Sequence, residues 1–154
     1  ILYGIVQNAV NIRDIDKDSL NKYTGTYEYE LKLRRSRVTR PLYVFTLGNG
    51  DVVLARARDI QNAELLDGHK TLAVQYTTMF TNPIYGRYSA VSIVSTDGAV
   101  EFLDLETSRR ESVGRIWIFS FLLLLIILCV AVLVLIVRCA GKCKVYHNDR
   151  KYNR

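Results

Sequence analysis

Cysteine is scarce in this chain of 154 residues: three occur, Cys129, Cys139 and Cys143, and none lies ahead of residue 129. Whatever folds before them has no disulfide to close its loops, so its stability must come from a packed core. Histidine is as sparse, with His69 and His147 alone. There is no Cys-x-x-Cys, no His-x-x-x-His and no Gly-rich phosphate loop, which excludes the common metal-site and nucleotide-site signatures. A Ser-His-Asp arrangement needs its His held between nucleophile and carboxylate, whereas His69 stands beside the turn residues Asp67 and Gly68. No cofactor is expected. An Asn-x-Ser/Thr acceptor is also missing, since Asn82 is followed by Pro83. A domain with neither disulfide nor glycosylation site points to a bacterial or viral source.

Charge of one sign is absent from the middle of the C-terminal part, and so is charge of any sign. The 22 residues from Ile116 to Val137 carry none and are bounded by Arg115 and Arg138. At about 1.5 Å per residue a helix of that length spans roughly 33 Å, enough for a hydrocarbon core of about 30 Å. Residues 116–137 are therefore expected to be a transmembrane helix, anchored by Arg115, Trp117 and Arg138. Of 21 Lys and Arg, six follow Val137, and of 15 Asp and Glu only Asp149 does. The basic excess is that of a membrane-flanking tail and not of a folded nucleic-acid binder, so no nucleic acid is expected. Six cations after the run against Arg109, Arg110 and Arg115 just before it place the tail, 138–154, in the cytoplasm and the domain outside it. Residues 108–115 are read as a linker.

Ahead of the linker the pattern has a period of two. In Tyr27 to Leu33 the side chains of Tyr27, Tyr29, Leu31 and Leu33 alternate with Glu28, Glu30 and Lys32, the mark of a half-buried strand. Leu42 to Leu47 and Val52 to Arg58 flank Gly48-Asn49-Gly50-Asp51, a hairpin turn in which Asn-Gly supplies positive φ. Thr71 to Thr77 and the pair Ala90 to Ser95 with Val100 to Leu105, joined across Asp97-Gly98, complete about six strands. No 3.6-residue stripe precedes Ile116, although Asp59 to Leu66 fits two helical turns capped by Asp59. The fold class is mainly β: a small antiparallel barrel-like or meander domain over residues 1–107, plus one C-terminal transmembrane helix. The opening residues ILYGIV, 1–6, are either the end of an earlier membrane helix or the domain's first strand.

From Thr26 to Leu103 the order of elements is distinctive: a strand, an Asn-Gly turn, a second strand, Asp-Gly-x-Lys leading into a strand that ends in Tyr76, then Asn82-Pro83 and a last hairpin. This order resembles an uncharacterised bacterial family of small β domains tethered by transmembrane helices on one or both sides. The resemblance implies a tethered β domain and carries no activity with it.

Four local features are candidates for interaction. Met79, Phe80, Ile84 and Tyr85 lie in a Pro-containing loop more apolar than a solvated loop would be, and are expected to contact a protein partner. Arg34, Arg35, Arg37 and Arg40 make a basic loop suited to lipid phosphates or an acidic partner. Cys139 and Cys143, beside the run and among cations, are candidates for acylation, and zinc on them with His147 would need a fourth ligand and a helix unbroken at Gly141. Asp14, Asp16 and Asp18 open like a calcium loop but have Ser19 and Gly25 where Gly and Glu are required, so a solvated acidic turn is expected. The function expected is a non-enzymatic, membrane-anchored structural or accessory subunit of a virion or cell-envelope assembly, with membrane lipid and other protein subunits as partners. Its main rival is a ligand-binding or envelope-sensing module that signals through the helix.

Overall fold

The computed structural model describes residues 1–34, 40–81 and 85–152, with the backbone alone for residues 34, 40 and 140–152. The chain opens with a helix, α1 (Leu2–Asp16), then forms β1 (Asn21–Arg34), β2 (Arg40–Leu47), β3 (Val52–Arg56), β4 (Thr71–Tyr76), β5 (Arg87–Ser95) and β6 (Glu101–Leu103), and ends in α2 (Leu105–Tyr152). The sheet order is β3-β2-β1-β4-β5-β6, and a parallel β3–β5 pairing closes five strands into a barrel with β6 added at β5. Closure removes the unpaired edges that a small sheet would otherwise expose. This connectivity, with β1 shared between β2 and β4, is that of a five-stranded Greek-key barrel of the OB type.

β1 serves both walls because it bends. Asn21–Thr26 pair with β4 and Tyr27–Arg34 with β2. At the bend, Gly25 lets the Tyr23 ring cross the strand: a Cβ there would stand 2.5 Å from the Tyr23 hydroxyl. That hydroxyl donates to the Thr26 carbonyl at 2.7 Å and accepts from the Gly48 amide at 2.9 Å, so one Tyr ties the bend to the β2–β3 turn. Alternation along β3 and β4 sends Val53, Ala55, Leu72, Val74 and Tyr76 inward to meet Phe45, Leu47, Ile93 and Phe102. A short 3-10 turn, Ala63–Gly68, plugs one end with buried Leu66, whose carbonyl accepts the Tyr27 hydroxyl at 2.6 Å.

Several expectations are corrected. Residues 1–6 are not a strand but the first turns of α1. Its stripe is invisible to hydropathy because the buried positions are Asn8, Asn11 and Asp14, polar residues at a spacing of three. Residues 108–115 are not a linker: α2 starts at Leu105 and runs unbroken through them. Asp104 begins it, accepting from the amides of Glu106 and Thr107 at 3.1 Å each. Burial of that carboxyl works against its charge, but these bonds outweigh it and hold its pKa below the ordinary value. Polar residues of this stretch find partners across the fold: Ser108 donates to the Val91 carbonyl at 2.7 Å, and Arg109 pairs with Asp16 of α1. α2 also continues through Gly141. Asp59 caps nothing: the Asp59 to Leu66 segment is split into two 3-10 turns, and the residue before the second is Asn62, at φ +50°. Leu31 and Leu33 are 54% and 65% exposed, because the β1–β2 ribbon runs past the core there.

The β2–β3 turn is a three-residue loop. The Gly50 amide donates to the Leu47 carbonyl and the Leu47 amide to the Asp51 carbonyl, both at 2.9 Å. Gly50 alone takes a positive φ, +89°, and Asn49 does not, which is the type I turn with a glycine bulge and not the two-residue Asn-Gly turn.

Candidate functional site: a cavity between barrel and helices

Where α1 and the first turns of α2 lie against the barrel they leave a cavity of about 660 Å³. Its apolar walls come from Leu54 and Val91 on the barrel and Phe119 on α2. At its rim stands a charge cluster that joins the barrel to the helix. Glu111, on α2, receives Arg56, Arg58 and Arg115: the Arg58 and Arg115 contacts are 2.9 Å each, and Arg56 Nη2 lies on Oε2. Asp59 takes the other side of Arg56 and Arg58, at 3.5 and 3.2 Å. Three guanidiniums thus face two carboxylates, a surplus of one positive charge. Burial, then the neighbouring Glu111 charge, pushes the Asp59 carboxyl above its ordinary pKa despite the two Arg. The Glu111 hydrogen bond, first among its causes, pushes Arg58 further up. With both carboxylates held between guanidiniums, the cluster fastens the barrel to the helix.

Also lining the cavity are two buried polar atoms that have no partner among the described residues, Asn11 Oδ1 from α1 and Thr81 Oγ1 from the loop after β4. A buried acceptor left unpaired costs about 1–3 kcal/mol, so a small polar group seated there would be welcome.

α1 is fastened at both ends. The Asp14 carboxylate, 2% exposed, accepts from Thr78 at 2.5 Å, from Arg13 Nη2 at 2.8 Å and from Ser19 at 3.3 Å. The expected solvated acidic turn is thus overturned for Asp14. Nor do the three Asp converge on a cation site: Asp16 pairs with Arg109 at 3.0 Å and Asp18 with Lys22 at 2.6 Å. Among the described residues no cluster of His, Cys, Asp and Glu suited to a metal occurs. His69 is half-buried, its ring edge on Phe102 at 5.7 Å.

The sequence-predicted contact residues differ in exposure. Met79 is half-buried, Phe80 is exposed and stacks on Tyr88 at 4.5 Å, and exposed Tyr85 has the Arg87 guanidinium 5.5 Å from its ring centre. Ile84 lies outside the described residues, as do Arg35 and Arg37, while Arg34 and Arg40 are described in backbone only. Trp117, Arg138 and Cys139 are exposed; the side chain of Cys143 lies outside the description. Arg115, read as a membrane anchor, is engaged by Glu111. The cavity residues Asn11, Arg56, Arg58, Asp59, Thr81 and Glu111 gave no signal of a shared site in the sequence: they come from four separate segments, and neither spacing nor composition joins them. α2 contains one stretch, within Leu105–Cys139, long and apolar enough to cross a membrane.

No family model matches the chain, and neither the characterised proteins nor the solved structures searched contain a match, so the resemblance noted above brings no function.

Proposed function

We propose that this protein is a non-enzymatic, membrane-anchored accessory or structural subunit of a larger cell-envelope or virion assembly. In this reading α2 crosses the bilayer, the barrel lies outside the cytoplasm, the basic tail lies inside, and the barrel's outer faces meet other protein subunits. The orientation follows from the six cations after the apolar run against three before it. In the same reading Cys139 and Cys143 are candidates for acylation at the inner leaflet. One observation carries the reading: the barrel is mounted on α2 without a linker, through the Arg56 and Arg58 pairs with Glu111 and the Ser108–Val91 hydrogen bond. A domain that searches for distant partners gains from a flexible tether, whereas one that holds a fixed place in an assembly gains from losing that freedom. Isolation of the full chain from its native membrane in mild detergent tests this. Stoichiometric protein partners are expected, with recovery reduced in Glu111→Ala; a chain that always emerges alone and monomeric sinks the proposal.

The cavity favours a second reading, in which a small amphiphile binds between barrel and helix and its presence is felt by α2. Its support is the pair of buried atoms on Asn11 and Thr81 that have no partner among the described residues. Native mass spectrometry should then find a stoichiometric small molecule that is lost in Asn11→Leu. Its absence from the purified wild-type chain sinks this second reading.

A further inference from the structure

The loop between β4 and β5 lies beside the start of the apolar run. α1 and α2 are antiparallel: Asp16 meets Arg109 at one end, and at the other Gly4 rests on Phe119, where a Cβ would stand 2.8 Å from the ring. Phe119 is one turn beyond Arg115, the last charge before the run. Tyr3, next to Gly4, donates its hydroxyl to the Phe80 carbonyl at 2.5 Å. The Phe80 backbone is therefore held near the depth of the run's first turn. Phe80 and Tyr3 there are 38% and 45% exposed; Tyr85, whose neighbour Gly86 has the Phe80 ring 3.9 Å from the position of a Cβ, is 67% exposed, and Trp117 is 74% exposed. Residues 2–12 of α1 bring no charged side chain to this depth.

We propose that Phe80, Tyr85, Tyr3 and Trp117 form an aromatic collar that seats the barrel in the headgroup layer of the leaflet α2 crosses. The partner of this loop is thus lipid and not protein. This rests on the reading of α2 as a membrane span. Lipid is the fitting occupant because the collar continues the exposed apolar surface of the run itself, and because aromatic rings with one apolar and one wet side prefer the headgroup level. Arg87, over the Tyr85 ring, supplies a cation for lipid phosphates at the collar's edge. The stack of Phe80 on Tyr88 fixes the ring before it meets lipid. A helix alone leaves a domain free to swing about its axis; a second, off-axis footing sets its tilt.

Trp117 is the chain's only Trp, so position-specific fluorescence tests this directly. The wild-type full chain and the double variants Trp117→Phe/Phe80→Trp and Trp117→Phe/Tyr85→Trp are reconstituted in phosphatidylcholine–phosphatidylglycerol vesicles that contain phosphatidylcholine brominated near the top of the acyl chain. The second variant leaves the Phe80–Tyr88 stack untouched. Trp at 80 and at 85 should be quenched by bromine to about half or more of the extent seen for Trp117, and be shielded from aqueous iodide. Quenching of Trp117 by bromine with positions 80 and 85 open to iodide would overturn the collar and leave the span, the result a protein-contact loop would give. Failure of bromine to quench Trp117 as well would overturn the span and the collar together.

Discussion

The Thr78 hydroxyl donates to the buried carboxylate of Asp14 at 2.5 Å, joining the last turns of α1 to the loop that leaves β4, 64 residues away in sequence. The bond ties α1 to the barrel. Burial by itself would raise the Asp14 pKa, but the Thr78 bond, the Arg13 bond and charge, and the Ser19 bond together hold it below the ordinary 3.8. A carboxyl depressed in the folded state stabilises fully above its unfolded value and loses that contribution as pH falls through the folded one.

Thr78→Val should therefore cost about 1–3 kcal/mol, since it leaves one oxygen of a buried carboxylate without a donor. The loss should be seen at neutral pH and shrink as pH drops below 3.8, where the wild type also surrenders the bond. Denaturant melts of both proteins across that range check it; an equal difference at every pH would show that the hydroxyl acts by packing alone.

At the β2–β3 turn the cost is one of backbone. Gly50 has φ +89° and no atom within 4 Å of the position a Cβ would take. Gly50→Val should then destabilise by about 1–3 kcal/mol through strain without any clash, and Gly50→Asn by less, because Asn tolerates positive φ. Equal melting temperatures for Val, Asn and wild type would remove the glycine bulge from the turn.

Much of the barrel was legible because its strands alternate cleanly and its turns carry Gly at the positions that need it, as Val52 to Arg56 and Gly98 at φ +72° illustrate. The span was legible from the length of an uncharged run. α1 was not, because Asn8, Asn11 and Asp14 replace apolar residues on its buried face and find their partners only in tertiary structure. The same holds for Glu111: in sequence it is one charge in a polar stretch, and only the folded chain brings Arg56 and Arg58 to it. Long-range polar pairing has no period and leaves no local trace.

Alkaline pH offers a test on the opposite wall. Tyr29 donates to Asp67 at 2.6 Å, and that bond, followed by burial, pushes its pKa up to about 12. Tyr76 reaches about 12 as well, through burial first and then its bond to Asp51. A group whose folded pKa is raised stabilises fully below the unfolded value of 10.0 and loses that contribution as pH rises through about 12. The melting temperature should fall between those values. Asp67→Asn should flatten part of that fall, with a tyrosine titrating earlier by absorbance; an unchanged titration curve would break the Tyr29–Asp67 link.

α1 packs against α2 at Gly4, where a Cβ would meet Phe119 Cε2 at 2.8 Å and Cζ at 3.1 Å. The contact is with the far end of a side chain, so a single methyl can be absorbed by a small ring movement and Gly4→Ala should cost little. Gly4→Leu brings three more carbons into the same space and must push the helices apart or force the ring off its rotamer, at about 1–3 kcal/mol. The two helices would separate first at the end where Tyr3 holds Phe80, so the exposure of that loop to protease should rise with the loss of stability. Removing the obstacle tests the cause: in Phe119→Ala the cost of Gly4→Leu should largely vanish, because the leucine then fills the space the ring gave up. A double-mutant cycle on the full chain, with stability and protease sensitivity measured for each corner, reads the coupling between the two positions. Additive costs in that cycle would mean that Gly4 and Phe119 do not touch, and that α1 is held to α2 by its Asp16 end alone.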